Sequence, residues 1–272
     1  MRLPMSALAM AGAAVLLVSA CGSDPEPSTS PTGPSAGPTP AVTAPETSVS
    51  PTASPVELNA STIATAVSSP IEIYDGPDGD VAQSIAAEDV LTAPEATPLV
   101  FLVKDQADGW LEVYLPVRPN GSTGWVRADD VTVASTDFSV EVSLVDFELT
   151  VMKGSSEVLT APIGVGREER PTPGGVYFIR ELLQPPDPTG VYGPYAYGLS
   201  GFSPVLDEFN GGDAIIGVHG TNEPDLIGEY VSSGCIRLSN DTITELVMDI
   251  GLPLGTPVRI SDEAAPVDGE DG

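Results

Sequence analysis

His219-Gly220-Thr221-Asn222-Glu223-Pro224-Asp225-Leu226-Ile227-Gly228-Glu229-Tyr230-Val231-Ser232-Ser233-Gly234-Cys235-Ile236-Arg237-Leu238 holds the only histidine of a 272-residue chain and one of its two cysteines. A thiol becomes a nucleophile near neutrality when a base takes its proton, and imidazole is the side chain whose ordinary pKa suits that task. Taken alone, a cysteine is most often a small buried hydrophobe, and a histidine a hydrogen-bonded structural residue. Here each stands beside a glycine, Gly220 or Gly234, where backbone can approach a substrate closely. The polar stretch between them can bring its two ends together. Cys235 and His219 are therefore the candidate nucleophile and base.

Working outward, residues 214–218 (Ala-Ile-Ile-Gly-Val) read as a buried strand that ends at His219. Beyond Leu238, Ser239 or Asn240 can cap a helix with Ile243, Leu246, Val247 and Ile250 on one face, and Gly251 stops it. Residues 257–260 give a closing strand. Upstream, residues 139–144 and 147–151 alternate apolar and polar as a meander, followed by strands at 157–166 and 175–179. Residues 184–200 are dense in Pro, Gly and Tyr, and a long non-repetitive segment in a β domain tends to be a functional loop. Its Tyr195 and Tyr197 are candidate ligand contacts, with cover of the core as the other reading.

Residues 61–134 carry short strand signals at regular spacing, with turns at residues 75–79 and at Pro119-Asn120-Gly121, which suggests a small β-barrel. The segment from Gly109-Trp110-Leu111-Glu112-Val113-Tyr114 to Gly124-Trp125-Val126 resembles a bacterial SH3-like domain. Its aromatics read as packing before they read as a ligand groove.

Net charge is −29, which excludes a general nucleic-acid binder and argues against electrostatic docking on anionic lipid. Arg2 precedes an apolar run over residues 7–20, about 21 Å long as a helix. That is short of the ~30 Å hydrocarbon core and fits an export signal. The run ends in Val18-Ser19-Ala20-Cys21, which resembles a bacterial lipobox with Cys21 as the lipidated residue. Cys235 is then a lone thiol in an exported setting, with no disulfide partner in the chain. Nine prolines over residues 22–56 make an extended stalk, about 100 Å at full polyproline reach. The expected organisation is a signal over 1–20, lipidated Cys21 and stalk over 21–56, an SH3-like domain over 61–134, a catalytic domain over 138–261 and an acidic tail over 262–272.

His219-Gly220-Thr221-Asn222 followed by Ser232-Ser233-Gly234-Cys235-Ile236-Arg237-Leu238 resembles the signature of the L,D-transpeptidase (YkuD-type) family over about residues 138–260. The signal, stalk and SH3-like domain also resemble the layout of actinobacterial members. The resemblance implies a mainly β chain: an SH3-like barrel, then a β-sandwich-type catalytic domain with one main helix near its end. It implies cross-linking of peptidoglycan: attack on the L,D peptide bond of a donor stem, loss of D-Ala, a thioester at Cys235, and resolution by the amine of an acceptor stem. By the same resemblance His219 is the base, the Gly220 carbonyl orients it, the N–H groups of Gly234 and Cys235 are candidates for the oxyanion hole, and Arg237 binds a stem carboxylate or helps hold the thiolate, with a structural salt bridge as the other reading. Ser233 is a further candidate substrate contact. Carbapenem-type β-lactams are implied as covalent inhibitors, no cofactor is called for, and a monomer on the outer face of the cytoplasmic membrane is expected. One position departs: many members carry His before the Gly-Cys pair, where this chain has Ser233, which cannot titrate near neutrality.

Two other readings remain open. Water in place of the acceptor amine makes an L,D-carboxypeptidase, and the Ser233 departure allows a catalytically weakened wall-binding lipoprotein. Cys/His hydrolases with SH3-like domains place Cys before His, the reverse of the order here. A zinc site needs three or four ligands, and one His with one Cys supplies half of that. No phosphate loop is visible.

Overall fold

The computed structural model describes residues 60–262; the export segment, Cys21, the stalk and residues 263–272 of the tail lie outside the described residues. The first sheet is built from β1 (Ser61–Ala66), β2 (Ile71–Tyr74), β3 (Val81–Ile85), β4 (Val100–Ala107), β5 (Trp110–Tyr114), β6 (Thr123–Arg127) and β7 (Val131–Thr136), with one helical turn, α1 (Ala87–Val90), after β3. It runs β3-β2-β6-β5-β4-β1-β7 and is antiparallel throughout. Alternation along the strands sends Ile71 and Ile73, Leu111 and Val113, and Val126 into one apolar cluster around Phe101. Trp110 is buried and meets Tyr74 edge-on at 4.9 Å between ring centroids, so these aromatics pack the domain. β3 and β7 are the edges, and no pairing between them closes the sheet into the expected barrel.

The second sheet contains β8 (Phe138–Ser143), β9 (Glu148–Lys153), β10 (Ser156–Pro162), β12 (Gly175–Leu183), β13 (Ala196–Phe202), β16 (Ile215–His219), β18 (Ile236–Arg237) and β19 (Pro257–Ser261). Around it lie the short pairs β11 (Val165–Gly166) with β17 (Tyr230–Ser232) and β14 (Glu208–Phe209) with β15 (Gly212–Asp213), and the helix α2 (Asn240–Glu245). The order is β10-β9-β8-β19-β12-β13-β16-β18, with β19–β8 and β16–β18 parallel. Where two stacked layers were expected, one continuous hydrogen-bonded sheet supplies both: Val140 and Leu149 at one end share a single cluster with Leu199, Ile216 and Ile236 at the other. Bulges in β12–β13 and β13–β16 give the bends this needs.

Helix α2 starts as its capping chemistry dictates. The Ser239 hydroxyl accepts from Thr242 N–H at 3.0 Å, Ile243 and Leu246 enter the core, and a wider π-helical turn runs to Gly251, whose φ of 70° ends it.

The two sheets are joined through a polar and apolar junction. Ile63, Val100 and Leu102 of the first sheet pack on Phe178 of β12. Beside them, Arg180 and Glu181 are almost wholly buried, at 2% and 1% exposure, and pair at 3.1 Å. Thr92 donates to the same carboxylate through its N–H (2.8 Å) and hydroxyl (3.0 Å). Asn120 was expected as a turn residue; its side chain instead donates to Phe202 O (2.8 Å) and accepts from Phe202 N–H (2.9 Å), acting as a one-residue strand. Arg118 donates to Ser203 O (2.9 Å) and Leu206 O (2.8 Å).

Candidate active site

Strands β16 and β18 run side by side in parallel, with His219 opposite Arg237 and Val218 opposite Ile236. Side chains two residues apart on a strand share a face, so Cys235, the residue before β18, falls on the same side as Arg237 and His219. All three line one cavity of about 250 Å³, with Tyr192, Ile215, Ser232, Ser233, Phe209 and Asn210 also on its walls. The sequence reading paired His219 with Cys235; the parallel register is what brings them into one cavity.

His219 Nδ1 lies 2.6 Å from the carbonyl of Gly220. A carbonyl only accepts, so Nδ1 carries the proton and the Nε2 lone pair is left free. Burial, with the Arg237 charge as a smaller cause, pushes the imidazole pKa down to about 4, against a weaker pull upward from the Gly220 bond. Burial also pushes the Cys235 thiol above its ordinary range, opposed by the Gly217 backbone and by Arg237. The resting pair is thus a neutral thiol and a neutral imidazole.

Gly220 and Gly234 were expected to let a substrate approach; both serve the backbone instead. A side chain at Gly220 would meet Asn240 Oδ1 and the Gly193 backbone; nearby, Tyr192 stands edge-on against the His219 ring, 5.0 Å between centroids. Gly234 has φ of 122°, which only glycine adopts readily, and a Cβ there would press on Ile216. The Gly234 N–H donates to the Ser232 hydroxyl at 3.0 Å, and that hydroxyl donates to Cys235 O at 2.5 Å. Gly234 therefore has no amide to offer an oxyanion, whereas the Cys235 N–H has no partner among the described residues. Arg237 pairs with Glu223 at 2.8 Å and keeps its Nε buried without a partner among the described residues.

The two tyrosines expected at the ligand do not reach it. Tyr197 sits in β13, 2% exposed, with its hydroxyl 3.4 Å from Leu246 O, and Tyr195 donates to Met248 Sδ outside the cavity. The segment expected to be loop throughout becomes strand at Ala196, and strand alternation turns Tyr197 into the core. Tyr192, still in the loop, holds the cavity position. Ser233 accepts from Arg170 (3.1 Å) and Arg167 (3.4 Å), two residues the sequence reading passed over.

Residues 137–260 match the model of the YkuD family, described as the L,D-transpeptidase catalytic domain. These residues are therefore similar to an L,D-transpeptidase catalytic domain. Over 124 residues the chain is 35% identical to YkuD of Bacillus licheniformis, an L,D-transpeptidase by name, covering 46% of this chain and 66% of that protein. Bacillus subtilis YkuD is similar at 33% identity over the same shares. The chain thus spans 66% of the length of these relatives. An L,D-transpeptidase from Mycobacterium tuberculosis, solved with a faropenem-derived adduct, is 17% identical with a TM-score of 0.37, over 53% of this chain and 76% of that one.

The matched residues end where β19 closes the sheet, and the cavity within them is lined by His219, Cys235 and Arg237. Among the described residues no group of three or more His, Cys, Asp or Glu is placed to hold a metal.

Proposed function

We propose that the protein is a peptidoglycan L,D-transpeptidase that works through a thioester at Cys235. The observation that carries this is the β16–β18 register, which puts the Cys235 thiol, the free Nε2 of His219 and the Arg237 guanidinium on one face of one cavity. The Cys235 sulfur attacks the carbonyl carbon of the donor L,D peptide bond as its proton passes to His219 Nε2. The Gly220 carbonyl holds the ring and stabilises the imidazolium that forms. Charge developing on the substrate oxygen falls to the unpartnered Cys235 N–H, and such a donor is typically worth ~3 kcal/mol. The C–N bond then breaks, His219 returns the proton to the leaving amine, and D-Ala departs. An acceptor amine attacks the thioester carbon and gives a proton to His219; the C–S bond then breaks and His219 returns that proton to the Cys235 sulfur, restoring the thiol.

Low resting thiolate content suits this chemistry in an exported compartment, because a neutral thiol is slow to oxidise or to attack unselected electrophiles. The first sheet is read as an SH3-like domain, Cys21 as the lipidated residue, and the stalk as the link holding the enzyme at the outer face of the membrane. The test is product analysis with a stem tetrapeptide and an acceptor stem. A cross-linked dimer with release of D-Ala is expected, tripeptide alone would make the protein an L,D-carboxypeptidase, and unchanged substrate would remove the enzymatic reading.

A further inference from the structure

Only ten residues of this chain are Lys or Arg, against 39 Asp or Glu, yet two arginines converge on a neutral hydroxyl beside the nucleophile. Arg170 Nη1 lies 3.1 Å and Arg167 Nη2 3.4 Å from Ser233 Oγ. Neither arginine makes an ion pair among the described residues, although Glu168 and Glu169 lie between them in the chain. Two guanidiniums on one hydroxyl repel each other, and a serine oxygen does not neutralise them. Both arginines are exposed, so water meets their charge; what sets them apart is that they converge on one hydroxyl beside the candidate nucleophile, where an arriving carboxylate would pair with both.

The loop that presents them is held at both ends. Arg167 N–H and Nε both donate to Ser232 O at 3.2 Å, and Arg170 N–H closes a turn on Arg167 O at 2.9 Å. The buried Thr172 hydroxyl accepts from Gly166 N–H (2.8 Å) and donates to Gly234 O (2.9 Å), locking the loop to the residue before Cys235. Ser233 lines the candidate active-site cavity, and Arg167 lines a neighbouring groove with Gly166, Pro171 and Tyr230 and with the carboxylates of Glu168 and Glu169. The loop backbone is therefore fixed beside the cavity, and the exposed guanidiniums, held on Ser233, are presented to solvent next to it, which lowers the ordering cost of binding.

We propose that Arg167 and Arg170, held on Ser233, form a subsite for a free carboxylate of a stem peptide. Serine suits the position because an imidazole that gained a proton there would add a third cation to two. This deepens the transpeptidase reading and rests on it for the identity of the peptide. The carboxylate belongs either to the donor or to the acceptor stem, and the two sources act at different steps.

The test is calorimetric titration of the full chain carrying Cys235→Ala, so that binding is read without acylation. The probes are a stem tetrapeptide and the same peptide with its terminal carboxylate, or the side-chain carboxylate of its diamino acid, converted to the amide. Charge-assisted bonds of this kind are worth roughly 1.5–3 kcal/mol, so the free acid should bind about 10- to 100-fold more tightly than one of the amides. Adding R167Q and R170Q should erase that ratio by weakening the acid alone, and R167K with R170K should recover most of it. In the active enzyme the same Gln pair should raise KM for the donor in thioester formation, or for the acceptor in thioester resolution, according to the source. An acid-to-amide ratio unchanged by the Gln pair, or no binding of any probe, overturns the subsite. Intact discrimination in a protein whose Cys235 form makes no thioester would instead sink the transpeptidase reading and leave the subsite standing.

Discussion

The junction between the two sheets and the cleft around Cys235 both gather charged and polar groups, and they treat them in opposite ways. At the junction every such group meets its complement: Arg180 with Glu181, Glu181 with Thr92, Asn120 with both backbone atoms of Phe202, Arg118 with two carbonyls. In the cleft complements are missing among the described residues: Arg237 Nε and the Cys235 N–H have none, and Arg167 with Arg170 share a hydroxyl. Full pairing recovers the desolvation cost of burial and sets one geometry. Unfilled pairing leaves interactions to be completed by substrate or transition state, which is where binding energy accelerates a reaction. The difference teaches that a polar cluster is read by what it lacks.

The largest expected effect lies at the junction. Glu181→Ala strands the Arg180 charge in the interior, and breaking a buried pair in this way costs roughly 3–5 kcal/mol. Urea unfolding should register that loss, while Glu181→Gln, which keeps a partner for Thr92, should lose less. A loss below about 1 kcal/mol would mean that water reaches Arg180 and that the contrast between the regions is overdrawn.

Next in size is an acid response from the cleft. The folded pKa of His219, about 4, lies below the ordinary 6.5, so between those values the unfolded chain binds more protons than the folded one. The contribution is fully present above pH 6.5 and is lost as pH falls toward 4, reaching about 3 kcal/mol. Unfolding free energies at pH 7 and 4.5 should therefore fall more steeply for the wild type than for His219→Asn. Parallel slopes would place the imidazole in contact with solvent.

A smaller effect belongs to Asn120. Asn120→Ala leaves the Phe202 amide and carbonyl unmatched and should cost about 1–3 kcal/mol in urea unfolding, with Cys235 still able to be acylated. Loss of acylation in a folded Asn120→Ala protein would show that the junction also shapes the cleft, through residues 202–206 that lead to its wall at Leu206.

Short-range signals were legible in the sequence. The strands, the Ser239 cap and the stop at Gly251 rest on neighbours a few residues apart. Long-range ones were not. Arg167 and Arg170 meet Ser233 across more than sixty residues, and nothing local to either loop announces the meeting. Arg180-Glu181 reads as two surface charges until β12 is known to be covered by the first sheet. Tyr197 was misplaced because a Pro- and Gly-rich stretch hid the start of β13; the alternation of Tyr197, Leu199 and Gly201 from Ala196 onward was the available clue.

The most direct test of the central claim is intact-mass measurement of the soluble protein after exposure to a carbapenem. Wild type should gain one adduct, Cys235→Ala none, and His219→Ala none on the same timescale, while Ser233→Ala should react more slowly to the same end point. A folded wild-type protein that stays unmodified, or an adduct that survives Cys235→Ala, would contradict the assignment of Cys235 as a His219-activated nucleophile.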